Sequence, residues 1–194
     1  MNNINFMYMK KLILMAALAM VSTAAFAQKF AHINSQEVFQ LMTEMDEVRT
    51  KMDAIVAENQ DVIKSMYDEY QTKLQTYQQK ASTWTASVKE SKEKELMEME
   101  TRIQETQQNM QQEMQQIQNN LTAPVMKKCQ DTIDEIAKKG GYIYVFDSTS
   151  ALYIDPAQST DLTKEVRTAL NIPADRTLES LQAELQAKAQ QQAQ

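Results

Sequence analysis

Lys138-Lys139-Gly140-Gly141-Tyr142-Ile143-Tyr144-Val145-Phe146 is the stretch that decides the fold. Its two glycines are the only ones among 194 residues. Upstream, from Gln36 to Lys139, the sole proline is Pro124. Glycine and proline are the strongest punctuators of local structure. A run this long without them reads as helix far beyond the ~10–14 residues typical of a globular protein. Downstream, Tyr142 to Asp147 carries aromatic and β-branched residues and reads as a strand. Lys138 and Lys139 suit a helix C-terminus, which the glycines then end. The chain is therefore read as α+β: a long helical arm over residues 36–138, fused to a small β-containing head over residues 28–35 and 139–172. Reach, more than an enclosed pocket, is what such a chain offers.

Two apolar rows run along the arm. The first is Val38, Met42, Met45, Val48, Met52, Ile55, Asn59, Val62, Met66, Tyr70, Leu74, Tyr77, Ala81 and Trp84. Its steps are mostly three or four residues, the spacing of a coiled-coil seam, with Asn59 as the polar member. Four-residue steps from Val62 to Leu74 read as a local stutter in that seam. The second row is Leu96, Met99, Ile103, Met110, Met114, Ile117, Leu121, Val125, Cys129, Ile133 and Ile136. Glutamines crowd its middle and predict a slender, wet section. Between the rows, Ser82-Thr83-Trp84-Thr85-Ala86-Ser87 weakens the helix, because Ser and Thr compete for backbone hydrogen bonds. The arm is expected to fold back there as an antiparallel helical hairpin, a coiled-coil tentacle with its tip near residues 82–88. An unbroken helix would strand Phe30 to Ile33 far from Tyr142 to Phe146. Pro124 lies in the returning half and is expected to kink it near residue 120.

In the head, Lys29 to Ile33 reads as a short strand, and Ser35 as the N-cap of the arm. After Tyr142 to Asp147 the residues Ser148 to Ser150 turn, and Ala151 to Ile154 are expected to return as another strand. One of Ser159, Thr160 or Asp161 is expected to cap a helix carrying Leu162, Val166, Ala169 and Leu170. Phe30, Ile33, Tyr142, Tyr144, Phe146, Leu152 and Ile154 form the predicted core of the head and of its association with other copies. A head this small has too little apolar surface to stand alone, so oligomerisation is expected. Residues 173–194 are read as a tail, helical through Leu178, Leu181 and Leu185 or disordered, and frayed from Ala187 onward.

The ends and the charge bound the function. Lys10 and Lys11, the apolar run Leu12 to Val21, and Ala25-Phe26-Ala27 have the form of a cleaved export signal over residues 1–27. The mature chain is then periplasmic or secreted. Loss of the leader takes 20 basic groups to 18 against 26 acidic ones, a net charge of −8. Nucleic acid is excluded as a partner, because phosphate binding needs a basic footprint. Cys129 is the lone cysteine and lies on an apolar row, so burial is expected. His32 is the lone histidine; no His or Cys cluster offers a metal site, and no cofactor is implied. The carboxylates of Glu90 to Glu100 alternate with Lys89, Lys92 and Lys94 at the spacing of a solvated helix face. No residues are read as catalytic, so an enzyme is not expected. Nine of the fourteen methionines lie between Met42 and Met126. Their flexible, polarizable side chains suit either seam filling or a surface that accepts many shapes.

The export signal, Phe30-Ala31-His32-Ile33-Asn34-Ser35-Gln36-Glu37-Val38-Phe39, Leu121 to Pro124 with Lys128, Ile136 to Asp147, Leu152-Tyr153 and Asp161 to Val166 follow one another in order. Together they make the chain resemble the Skp type, or OmpH family, of periplasmic chaperones. The resemblance covers Lys29 to Leu170. It implies a homotrimer whose heads share a β-sheet body and whose hairpins surround a cavity. Unfolded outer-membrane proteins are held there without ATP. Inward-facing Met66, Tyr70, Tyr77, Trp84, Met99 and Met110 are the client-binding candidates. The best-known members are strongly basic and this chain is acidic, so lipopolysaccharide is a doubtful partner. The alternative reading is a structural coiled-coil spacer of the envelope that holds no client.

Overall fold

The computed structural model describes residues 28–192. The export signal assigned to residues 1–27 lies outside them. Strand β1 (Lys29–Ile33) leads into helix α1 (Ser35–Leu41) and then α2 (Thr43–Lys80). A 3-10 turn (Ala81–Thr83) reverses the chain into α3 (Ala86–Gly140). Strand β2 (Tyr142–Asp147), a second 3-10 turn (Ser148–Ser150), β3 (Ser159–Asp161), α4 (Thr163–Ala169) and α5 (Leu178–Gln192) complete it.

Helices α2 and α3 pack against each other as an antiparallel hairpin. Glu44 meets Lys128 near one end, and Tyr77 meets Glu93 near the other. At 1.5 Å per residue, the 38 residues of α2 reach about 57 Å. The Thr85 side chain accepts the Val88 N–H and caps α3. At the far end Gly141 adopts φ 69° and ψ 29°, the left-handed conformation that closes a helix, and its N–H returns to Ala137 and Lys138. Pro124 stands inside α3 without ending it.

The three strands are parallel in the order β2-β1-β3, with His32 opposite Phe146 on one side and Asp161 on the other. The entire arm is thus the crossover from β1 to β2. Residues 151–154, expected as a strand, form none, and Leu152 is fully exposed. The third strand is Ser159–Asp161 instead. Its three residues hydrogen-bond to the opposite edge of β1, a pairing too short to leave a sequence pattern. The following helix has Leu162 as its N-cap, not one of Ser159, Thr160 or Asp161, although Asp161 Oδ1 accepts the Thr163 N–H at 2.9 Å. The arm's N-cap falls one residue early: Asn34 Oδ1 accepts the Glu37 N–H, while the Ser35 hydroxyl donates to Asp147 at the end of β2.

Two further differences concern the arm. The first helix breaks at Met42, whose ψ of 137° is extended, so α1 and α2 are separate. Met42 is wholly buried, as are Val38 and Leu41; burying all three sets this corner. The seam also departs from the first row read in the sequence. Ile63, not the exposed Val62, is the half-buried position. The buried or half-buried series on α2 is Met52, Ile55, Asn59, Ile63, Met66, Tyr70, Leu74 and Tyr77. On α3 it is Ile103, Thr106, Met110, Met114, Ile117, Leu121 and Val125, with Thr106 filling the earlier gap. Both repeat in steps of three, four and four residues. That is an eleven-residue period at about 3.67 residues per turn, which winds slightly right-handed. The spacing read as a local stutter is a sustained repeat.

One contiguous core joins the head to the arm's base. Ala31, Ile33, Val38, Leu41, Met42, Val48, Val125, Cys129, Ile133, Leu162, Val166, Leu170, Ile172 and Leu181 form it. Cys129 is buried, and burial pushes its thiol pKa up, away from the reactive thiolate. The tail is helical to Gln192, and Leu181 belongs to this core.

Candidate functional site

Along the hairpin, packing density changes twice. At the base Val48 faces the cluster of Val125, Cys129 and Ile133. Beyond Val48 no residue of α2 is buried, and none of α3 is buried between Ile103 and Val125. Two buried residues, Met99 and Ile103, mark a second packed patch toward the tip, separate from the main core.

Between these patches the helices leave a groove of about 440 Å3. Val56, Ile63, Met110 and Met114 give it apolar walls. Asn59, Gln60, Gln107 and Gln111 add side-chain amides that both donate and accept, and Lys64 adds one cation. The groove offers apolar contact plus adaptable hydrogen bonds, a combination suited to peptide chains of varied sequence.

The distal patch is tied by polar contacts across the hairpin. The Tyr70 hydroxyl donates to Glu100, the Tyr77 hydroxyl to Glu93, and Lys73 bonds Glu95. Lys92 reaches Glu95 at 2.7 Å. The two ammonium groups, Lys73 first, hold the Glu95 carboxyl down at about 2. The Tyr70 and Tyr77 phenols are pushed up by the carboxylates they bond. Trp84 packs edge-on against Tyr77, with ring centroids 5.9 Å apart, and closes the turn.

The six arm residues singled out from the sequence are thereby dispersed. Met110 lines the groove. Met66 and Tyr70 are half-buried on the seam of α2, and Tyr77 and Trp84 meet at the tip. Met99 is only 4% exposed, so it is seam filling in this conformation. Asn59 and Met114 stand in the two apolar rows, whereas Ile63 does not, because the first row follows Val62. The glutamines of α3 were noted as thin packing, and that thinness is itself the signal of a groove.

The head offers a second surface. Ala31 and Ile33 point into the core, which leaves Phe30 and His32 on the outer face of β1. Phe30 stacks on Tyr144 at 6.3 Å and 7°, and Tyr144 lies 5.8 Å from Phe146. Tyr144 and Phe146 are 59% and 54% exposed in the single chain. Of the predicted head core, Ile33 is buried, Phe30, Tyr142 and Ile154 are half-buried, and Tyr144, Phe146 and Leu152 lie outside the subunit's own core. Beside Ala31 and Ile33 of β1, that core draws on α1, Met42, the base of α2 and α3, α4 with its flanking leucines, and Ile172 and Leu181. Among the described residues, β2 and β3 each pair on one side only, which leaves two unpaired sheet edges there.

His32 sits on this face with Ser159 Oγ 2.9 Å from Nδ1 and Asp161 Oδ2 4.0 Å from Nε2. The residue types match a hydrolase triad, but the geometry does not. The serine bonds the nitrogen that the carboxylate should orient, and the carboxylate is beyond hydrogen-bond distance. The contact ties β3 to β1. Among the described residues no group of three or more His, Cys, Asp or Glu could hold a metal ion, and no helix is long and apolar enough to cross a membrane.

A family model described as "Outer membrane protein (OmpH-like)" matches residues 29–170. No curated protein matches the chain. Among solved structures, a chain from Caulobacter crescentus CB15, provisionally described as an OmpH-like outer membrane chaperone, superposes with a TM-score of 0.64. It is 15% identical, and the likeness covers 77% of this chain and 90% of that one. At such identity the likeness is one of fold.

Proposed function

The chain belongs to the OmpH-like outer membrane protein family, and on that premise we propose that it is a periplasmic, ATP-independent holdase for unfolded outer-membrane proteins. The observation that carries the reading is the groove halfway along the hairpin, open and apolar, between a packed base and a tied tip. Each contact there is weak and exchangeable. Many such contacts lower the concentration of free unfolded chain and so compete with its aggregation. Val56, Ile63, Met110 and Met114 take apolar side chains of the client. The neighbouring amides satisfy its exposed backbone. Met66, Tyr70, Tyr77 and Trp84 extend the contact toward the tip, and no step requires a catalytic group or cofactor.

In this proposal the aromatic outer face of the sheet is covered by other copies of the chain, giving a homotrimer with three arms around one cavity. Phe30, Tyr144, Phe146 and the exposed Leu152 and Tyr153 supply the apolar area for that association. The net acidity of the chain favours neutral or basic client segments and disfavours lipopolysaccharide.

The test is light scattering from a β-barrel protein diluted out of denaturant, with and without the mature chain. Suppression of scattering at a few-fold molar excess is expected. Ile63→Glu together with Met110→Glu, at half-exposed positions, should leave the helix content intact and abolish suppression. Absence of suppression by the parent protein would refute the holdase and leave the envelope spacer.

A further inference from the structure

We propose that residues 171–192 form a strap across the break at Met42 and fix the angle at which the arm leaves the head. The family match ends at residue 170, so this segment lies beyond it. It is nevertheless built into the core. Asn171 takes φ 56° and turns the chain off α4, and Ile172 and Leu181 are both buried. Helix α5 begins with a reciprocal cap: the Ser180 N–H donates to Thr177 Oγ1, and the Thr177 N–H to Ser180 Oγ. It packs on α1.

The break makes the strap consequential. Two helices joined through one extended residue have no continuous backbone ladder to hold their angle. Both helices pack on the continuous α3, and beside that packing side-chain hydrogen bonds hold the angle by two routes. Arg49 on α2 donates to Gln40 O on α1 and to Asp46, each at 2.7 Å. The second route runs through the strap. Arg167 of α4 donates to Glu37 Oε1 on α1 at 2.9 Å, and also to the strap carbonyls of Pro173 and Arg176. Arg176 then donates to Asp46 Oδ1 in the first turn of α2 at 2.6 Å. Both arginine side chains are only 17% exposed, while Glu37 is 25% and Asp46 42% exposed, so the Arg167–Glu37 bond is the better shielded of the two. The strap thus links α1 to α2.

Leverage turns a small change there into a large one. A rotation of about 10° at Met42 would carry a tip about 57 Å away through roughly 10 Å. The inference concerns the arm's direction and does not depend on what the arm binds.

The test is a distance measurement between spin labels at Gln75→Cys on the arm and Thr168→Cys on the head. It uses a Cys129→Ala background, with labelled chain diluted into unlabelled chain. The parent should give one narrow distribution. Arg176→Gln should broaden it at least twofold, and a chain ending at residue 170 should broaden it further. A strap that merely stabilises the head would lower the unfolding temperature in both variants and leave the distribution as narrow as in the parent; that result overturns the proposal. If the shortened chain does not fold, Arg176→Gln decides alone, and an unbroadened distribution there overturns it equally.

Discussion

The head and the middle of the arm are made from similar residue types packed to different densities. In the head, Val38, Leu41, Met42, Leu162 and Val166 are wholly buried, and sheet, helices and strap converge on them. In mid-arm, Ile63, Met110 and Met114 meet only one facing helix and stay half-exposed. Hydrophobicity alone does not separate a core from a grip. The number of elements that converge does, since each added layer removes surface from water and restricts rearrangement.

The sharpest way to break that comparison is to truncate one residue in each region. Leu162→Ala should cost about 2–5 kcal/mol in denaturant unfolding, whereas Ile63→Ala should cost under ~1 kcal/mol. Equal losses would erase the distinction. Next in size, if the proposed homotrimer forms, Tyr144→Lys with Phe146→Lys should reduce its mass by multi-angle light scattering to that of one chain, with the circular dichroism of the helices kept. An unchanged mass would place the association elsewhere. Gly141→Ala tests the joint between the regions. A side chain at φ 69° should cost roughly 1 kcal/mol, read as a lower unfolding midpoint. Amides at 104–120 should exchange at least about tenfold faster than those at 125–136, and uniform protection would count against a loose middle.

The smallest effect is electrostatic. The Glu95 carboxyl, held at about 2, lies below its ordinary value near 4.5. A lowered acid stabilises the fold above the ordinary value and loses that contribution as pH falls from 4.5 toward 2. Lys73 is raised by Glu95, so its contribution is complete below 10.5 and lost as pH rises beyond that. Tip fluorescence from Trp84 should therefore change at both extremes before the head unfolds. Both groups are exposed, so added salt should weaken the effect.

Much of this was readable in the residues. Gly140-Gly141 announced the end of α3, the Ser/Thr cluster announced the turn, and the glutamines announced thin packing. The misreadings have physical causes. Met42 lies at a correct helical spacing, so periodicity ran straight through a corner that tertiary burial imposes. Thr43, Glu44 and Asp46 were the available hint, an acid-rich first turn of a new helix. Val62 and Ile63 are equally apolar neighbours, and only the facing helix chooses between them. Ser159–Asp161 pairs with β1 through three residues of backbone and the His32–Ser159 contact, with no apolar alternation to announce a strand. The groove was legible as a composition, but not as an address, because its two walls are assembled from distant halves of the chain.

The parallel pairing of β1 with β2 has a consequence for how the protein is made. Lys29 leaves the ribosome early, yet its partner Tyr142 is synthesised only after the whole arm, and Ser159 later still. The sheet is a high-contact-order assembly closed by local helices, and loop closure over so long a span is slow unless the loop is already shortened. Hairpin formation is therefore expected to precede the sheet. A lesion at the distant turn that leaves every native head contact intact would still delay the head's folding, and β1 would wait as an unpaired strand, itself in need of protection from aggregation.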